Sequence, residues 1–537
     1  MSISMNALAT KLKQTDKGLI VAIFLFFTAL PLVWQINFSQ NDDWVYYQMV
    51  QNFMHGNFAL DPVSAPTFYF QGLAGAIFSL VFGLSRLPVL TLLVSVVNFY
   101  LLFKILTAST KLGTKLSLIF SLIWFFNPLN VYSSLGFMTE NYLLFCILVS
   151  LHFFNFYIVD KKPKHFFLFN LFLFLGLMTK QSALVLAISY PVYFLVNKKR
   201  RFLKVQTLIS TLLFAFYFLV FPKTVEMSEK PLQFHHFYDY DYLIQLVKTM
   251  IIYVSAFCFP FLLLLLFQIK NFRNRKFLIV TLFAAVASLL LYFFVFKDFK
   301  PSRLAWQEFF YLDNTLERLG FYSRGIAGTK YYFKGIYDLY RYWDIIAKFF
   351  AGFVVVGLIM SLRKIKSQAH LVSLFLSYFL LMIVAEKVFD RYLPPLFLFF
   401  ILIMSANYNP AAISVYIRRL SIALFVPFLA FLMFYSYQLS MDFVLANNYV
   451  WSQSLQIVKK ENIDPKLIKG TNGWKFSKLN IGGNYLYEFT YDNAKVNKVY
   501  SDQYNLIEKH KVDFPGSIFV DPYIYLYKKR NFGNIAI

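Results

Sequence analysis

The chain has 537 residues, of which 58% are hydrophobic, 21% aromatic and only 15% charged, and it carries a net charge of +25. A soluble domain carries about 25% charged residues, so an ordinary soluble enzyme is excluded. The positive charge would suggest nucleic acid in a soluble protein. Here it falls in short Lys/Arg clusters between apolar runs, so it reads as membrane topology and implies no nucleic-acid partner.

Apolar runs of about 20 residues recur from Leu19 to Leu439 and do not alternate with polar residues. That excludes a β-barrel and indicates an all-α polytopic membrane protein. Spans are expected at 18–36, 87–106, 114–131, 141–159, 165–179, 182–197, 203–222, 246–268, 276–296, 346–362, 368–385, 392–407 and 420–440. Residues 66–83 are also apolar, but counting them as a span inverts the charge bias of every later loop. They are expected at the outer interface, within a first outer loop 37–86. Lys11, Lys13 and Lys17 precede the first span with no small-residue cleavage site after it, so that span is expected to be retained.

The loops then alternate. One side holds Lys104/Lys111/Lys115, Lys161/Lys162/Lys164, Lys198-Lys199-Arg200-Arg201, Arg273/Arg275/Lys276, Arg363-Lys364/Lys366 and Arg418-Arg419. By the positive-inside rule it is cytoplasmic, with the N-terminus. The other side holds Asp42-Asp43, Glu140, Lys180, the loops 223–245 and 297–345 and everything after 441. A site on that face has no access to cytosolic sugar nucleotides, so its substrate is most simply carried on a lipid. Cys146 and Cys258 lie in apolar runs and read as packing residues.

Residues 441–537 change character, with turn signals at Asp464-Pro465, Gly470, Asn472-Gly473, Gly482-Gly483 and Pro515-Gly516. Phe443–Glu461 reads as an amphipathic helix and Ser517–Tyr527 as strand-turn-strand. The chain is therefore expected to divide into a membrane domain, 1–440, and a small extracytoplasmic α/β domain, 441–537.

Charged residues on the outer face are the candidates for chemistry, because charge beside lipid is costly. Asp42 and Asp43 suit a general base or substrate anchor, although a helix N-cap for 43–54 is the plainer reading. Glu140 opens the fourth span, either matching the helix dipole or facing the first pair across a cavity. Lys180 is a snorkelling lysine or a phosphate-binding cation. Arg391 lies among Glu386, Lys387 and Asp390, in a local ion-pair network or as a fork for a phosphate. His235-His236, Arg303 and Arg324 lie in outer loops, and the two histidines lack a third ligand at convincing spacing.

These segments, in order and on one face, resemble the GT-C superfamily of polyprenyl-phosphate-sugar-dependent glycosyltransferases. The similarity is greatest to the family 39-like enzymes related to protein O-mannosyltransferases and aminoarabinose transferases. Asp42-Asp43 with Tyr46 and His55-Gly56 resembles that family's acidic motif in the first outer loop, and residues 66–85 its interfacial helix. Asn127-Pro128 through Glu140, Met178-Thr179-Lys180 and Asp390-Arg391-Tyr392-Leu393-Pro394 resemble its later motifs. Ile468-Lys469-Gly470-Thr471-Asn472-Gly473-Trp474 resembles a Gly-rich segment of some outer C-terminal domains. Asp43 stands where many members have Glu, and Glu140 where others have Asp.

The resemblance implies an enzyme of the extracytoplasmic face of a bacterial-type plasma membrane. It would move a sugar from a polyprenyl phosphate to a glycan, lipid or protein acceptor by one inverting displacement. Asp42, Asp43 and Glu140 are its catalytic candidates. Lys180 and Arg391, assisted by Arg86, are those for the donor phosphate. No cofactor or metal is expected, although some members use a metal. A glycan polymerase or ligase of similar layout is the rival enzyme. A lipid-sugar flippase or transporter is the rival outside enzymes, but it is expected to hide charge at mid-span, where this chain has little.

Overall fold

The computed structural model describes residues 16–62, 64–221, 237–266, 275–299, 316–317, 321–322, 339–362, 365–385, 388–408, 415–478, 484–490, 503–519 and 522–530. His235, His236, Arg303, Arg324, Glu386, Lys387 and the Gly482-Gly483 turn lie outside them. In chain order the helices are α1 (Asp16–Trp34), α2 (Asp43–Met54), α3 (Tyr69–Phe82), α4 (Leu87–Ser109), α5 (Thr114–Phe125), α6 (Pro128–Ser133), α7 (Thr139–Asp160), α8 (Pro163–Leu177) and α9 (Leu184–Val196). There follow α10 (Arg200–Val220), α11 (Tyr240–Cys258), α12 (Arg275–Leu291), α13 (Leu339–Ser361), α14 (Ile365–Val384), α15 (Pro394–Asn407), α16 (Val415–Glu461) and α17 (Asn472–Ser477).

Eight helical stretches are long and apolar enough to cross a membrane: Lys17–Trp34, Leu84–Ser109, Thr139–Asp160, Arg200–Val220, Tyr240–Leu262, Trp343–Ser361, Lys366–Val384 and Ile422–Glu461. The other expected spans are apolar helices of 10–17 residues, at Thr114–Phe125, Pro163–Leu177, Gln181–Val196, Leu282–Phe296 and Pro394–Asn407. Several are shortened by identifiable residues. Asn127 accepts the Leu129 N–H and Pro128 takes the first position of α6, so α5 ends at Phe125. The turn after α8 closes through Lys180 N–H to the Gly176 carbonyl, 2.9 Å. Pro394 and Pro395 start α15 and cannot extend it backward.

Helix α3 has 14 residues, about 21 Å, which is short of a bilayer core of about 30 Å. Gln71, Gly72, Gly75, Ala76 and Ser79 are buried, whereas Ile77, Leu80, Val81 and Phe82 are exposed. A Cβ on Gly75 would fall 2.7 Å from the Phe137 ring and 2.9 Å from Val50. A side chain at Gly75 would have to push both neighbours aside, and the opposite, greasy face of α3 is left outward. The main apolar core joins α4, α5, α7, α9, α14, α15 and α16, while a second cluster joins α2, α3 and Phe137-Met138.

Helix α16 departs from the expected division at 440. It runs unbroken for 47 residues, merging the last span with the helix expected at 443–461. Apart from Pro427 it contains no breaker, and nothing between Leu439 and Phe443 can end it. Beyond β1 (Leu316–Glu317) and β2 (Phe321–Tyr322), which pair antiparallel, one sheet contains β3 (Ile468–Lys469), β4 (Tyr487–Thr490), β5 (Tyr504–Lys511) and β6 (Tyr523–Lys529). Its order is β3-β4-β6-β5, with β3 parallel to β4 and the other pairs antiparallel. Ile524 and Leu526 of β6 pack with Ala446 and Val450 of α16 and with Trp474.

Of the strand-turn-strand expected over Ser517–Tyr527, the described residues contain one strand, β6 from Tyr523, and Val520-Asp521 lie outside them. The partner strand is β5, whose run Asn505-Leu506-Ile507-Glu508-Lys509-His510-Lys511 hides alternation under charge and a register shift at Leu506/Glu508. Phe514 and Phe519 of the intervening loop join the main apolar core, and Gln438 of α16 donates to the Gly516 carbonyl at 2.7 Å.

Candidate active site

Four turns converge: residues 35–43 after α1, 134–140 before α7, 178–183 after α8 and 388–393 before α15. Each ends a helix with a polar or proline break, so each places side chains where the helical ladder has stopped. The backbone N–H groups of Tyr69 and Phe70 bond the Met178 carbonyl at 2.9 and 2.8 Å, which fixes the start of α3 to the Lys180 turn.

Asp42, Arg391, Glu140 and Lys180 form one continuous ionic chain. Arg391 Nη2 donates to Asp42 Oδ2 at 2.6 Å. Its Nε lies 3.7 Å from Glu140 Oε1, and Lys180 Nζ donates to the same oxygen at 3.3 Å. The Lys180 ammonium also sits 3.9 Å above the Tyr392 ring, a cation–π contact. The chain is graded in exposure. The Arg391 and Glu140 side chains are 4% and 6% exposed, Lys180 15% and Asp42 36%. The formal charges cancel, two against two, which is the condition for burying them. Burial works against the Arg391 cation, but Asp42 and Glu140 hold its pKa above the usual arginine value. Among the described residues Arg391 Nη1 and Glu140 Oε2 have no hydrogen-bond partner, so the cluster retains unused donors and acceptors.

The two aspartates separate. Asp42 occupies the position before α2, yet its side chain makes no cap hydrogen bond and turns to Arg391. Asp43 is 1% exposed. Its Oδ1 accepts the Asn41 N–H at 3.1 Å and its Oδ2 the Phe137 N–H at 3.4 Å. Burial raises the Asp43 carboxyl from 3.8 to about 6, opposed by the backbone of Gln40, Asn41 and Phe137. Gly136 makes this possible: a Cβ there would lie 2.2 Å from Gln40 Oε1 and 2.8 Å from Asp43 Oδ2. Asp43 thus ties the acidic loop to the α7 turn, while Asp42 is the more exposed of the two and pairs with Arg391.

Arg86 is not brought into this chain. Its guanidinium donates to the Trp34 carbonyl and stacks 4.1 Å from the Trp34 ring, closing the end of α1. Sequence reasoning missed Gln40, whose amide donates to the Tyr132 carbonyl at 2.9 Å, and the Tyr392 ring as the rest for Lys180. Gly136 carried a usable signal, a glycine three residues before a helix that opens with an acid. Gln40 carried none. Among the described residues no three His, Cys, Asp or Glu side chains converge as metal ligands do.

Residues 66–224 match the family model of dolichyl-phosphate-mannose-protein mannosyltransferase. The matched stretch contains Arg86, Glu140 and Lys180, and it supports the resemblance carried by the sequence motifs. Asp42, Asp43 and Arg391 lie outside it. No curated protein matches this chain in sequence. Among solved structures, the crystal structure of ArnT from Cupriavidus metallidurans bound to undecaprenyl phosphate aligns over 87% of this chain and 74% of that one. It is 10% identical, with a TM-score of 0.41.

Proposed function

We propose that this protein is an integral-membrane glycosyltransferase that moves a sugar from a polyprenyl phosphate to an acceptor on the extracytoplasmic face. The observation that carries the proposal is the ionic chain: an exposed carboxylate at one end, an accessible cation at the other and a buried guanidinium–carboxylate pair between them. The mannosyltransferase match over residues 66–224 supports the same class.

In this reading Asp42 is the base. Its Oδ2 is held by Arg391, and its Oδ1 is left to the acceptor hydroxyl. The hydroxyl oxygen attacks the anomeric carbon from the face opposite the lipid phosphate as its proton passes to Asp42. The bond from that carbon to the phosphate oxygen breaks with inversion, and the lipid phosphate leaves as an anion. Lys180 receives the phosphate, and Arg391 stabilises the charge that grows there, which is electrostatic preorganisation. Glu140 is the counter-charge that keeps both cations in place before the donor arrives. Asp43 positions the loop. The donor enters from the outer leaflet beside the interfacial helix, and the N-terminus is cytoplasmic with residues 441–537 outside.

Transfer of label from a polyprenyl-phosphate sugar by purified protein tests this directly. Wild type is expected to transfer, and Asp42→Asn to lose about 10²–10⁴ in rate. Equal transfer by both removes Asp42 as the base. No consumption of any lipid-phosphate sugar removes the enzyme reading.

A further inference from the structure

Residues 37–40 lead from the end of α1 to the acidic pair, and each is held by a different partner. The Asn37 backbone N–H donates to Asn448 Oδ1 at 3.1 Å, and its side-chain amide donates to Ser452 Oγ at 2.9 Å. Phe38 packs edge-on against Phe443, ring centroids 5.7 Å apart. Ser39 lies against Gly473, where a Cβ would fall 1.8 Å from the Ser39 carbonyl oxygen. Gln40 turns the other way, to Tyr132 and Gly136. The first three partners come from α16 and α17, distant in sequence and sharing the sheet's apolar core through Ala446, Val450 and Trp474.

Contact at Gly473 is backbone against backbone, so no rotamer change relieves a side chain placed there. Trp474 holds that glycine in register. It is fully buried, its N–H bonds Thr471 Oγ1 at 3.2 Å, its indole N–H bonds the Pro465 carbonyl at 3.3 Å, and its ring meets Trp451 edge-on at 5.1 Å. This gives the Gly470–Trp474 segment a physical task that the ionic chain leaves unassigned.

We propose that α17 and the outer part of α16 form a latch that sets the position of Asp42, with Gly473, Asn448 and Ser452 as positioning residues. The inference rests on the glycosyltransferase reading for its effect on rate, but the latch itself is a matter of structure. Lys180 and Glu140 are held by other turns, and Arg391 is the phosphate-site group that touches Asp42, so disturbing the latch displaces the base more than the Lys180 end of the phosphate site.

The experiment pairs Gly473→Val with Asn448→Leu and Asn448→Asp. Gly473→Val and Asn448→Leu are expected to lower kcat at least tenfold with the donor KM within twofold of wild type. Asn448→Asp keeps the acceptor for Asn37 N–H and is expected to restore most of the rate. Hydrogen exchange is read on the same proteins. Protection is expected to fall at residues 36–43 in the first two variants and to stay unchanged at 139–145. Wild-type exchange at 36–43 in Gly473→Val or in Asn448→Leu overturns the latch, whatever the enzyme does. Loosened exchange with unchanged kcat overturns the positioning role. If wild type transfers no sugar, the exchange result still decides the latch while the glycosyltransferase reading fails separately.

Discussion

Glu140→Gln separates two roles for the buried carboxylate, counter-charge or base. The amide keeps an oxygen where Lys180 Nζ donates at 3.3 Å but removes the negative charge. A phosphate oxygen accepting from the far side of that ammonium, at about 2.8 Å, stands about 6 Å from the Glu140 carboxylate. At an effective dielectric of about 20, two like charges about 6 Å apart repel by about 2.8 kcal/mol. Lys180 is 15% exposed, and ionic screening at that opening reduces the figure to about 1.4 kcal/mol, or about tenfold in affinity. As counter-charge, then, Glu140→Gln is expected to bind a polyprenyl phosphate about tenfold more tightly. Turnover should slow at the same time, because the product is that same lipid phosphate. Folding stability should fall by about 2 kcal/mol, since Lys180 loses the carboxylate it pairs with and Arg391 loses one of two, while Asp42 still serves Arg391. Titration of the detergent-solubilised protein with a polyprenyl phosphate measures the affinity, and single-turnover transfer measures the chemistry. Unchanged or weaker lipid-phosphate binding, with single-turnover transfer abolished, would refute the counter-charge assignment and make Glu140 a base.

Arg391→Lys keeps the charge but cannot reach both Asp42 and Glu140 as the guanidinium does; transfer is expected to fall at least 30-fold in a steady-state assay, and wild-type rates would remove the bridging role. Lys180→Ala should raise the donor KM at least tenfold, with a smaller change in acceptor KM. Asp43 gives a pH test. Its folded pKa of about 6 lies above its usual 3.8, so the native state binds the extra proton between those values. The group therefore costs no stability below about pH 4 and about 3 kcal/mol above pH 6. Asp43→Asn removes that cost, so the variant's Tm relative to wild type should rise from pH 4.5 to pH 7, as thermal unfolding in detergent would show. A difference independent of pH excludes the raised carboxyl.

What the sequence made legible follows from how each signal is encoded. Apolar runs are local, so the helices could be placed from the sequence, α3 among them. Asp42, Glu140, Lys180 and Arg391 stood out because charge beside lipid is rare, and the structure brings all four together. Arg86 met the same criterion and instead closes α1 on Trp34, because rarity of charge does not say which partner lies nearest. Which aspartate faces outward depended on Gly136, nearly a hundred residues away, and no local pattern encodes that contact. Strand β5 was missed because it is mostly exposed, so no alternation of buried residues marks it, and only its backbone pairing with β6 makes it a strand.

At about 1.5 Å per residue, the 47 residues of α16 extend about 70 Å, more than twice a hydrocarbon core of about 30 Å. One end of this rod is embedded among the spans, and the other carries the sheet and the contacts to Asn37. Bilayer thickness thus becomes a mechanical input. A thicker membrane is expected to shift or tilt this helix relative to the turns that bear Lys180 and Arg391. With the base braced by this helix as proposed, turnover in vesicles of graded acyl-chain length is expected to pass through an optimum.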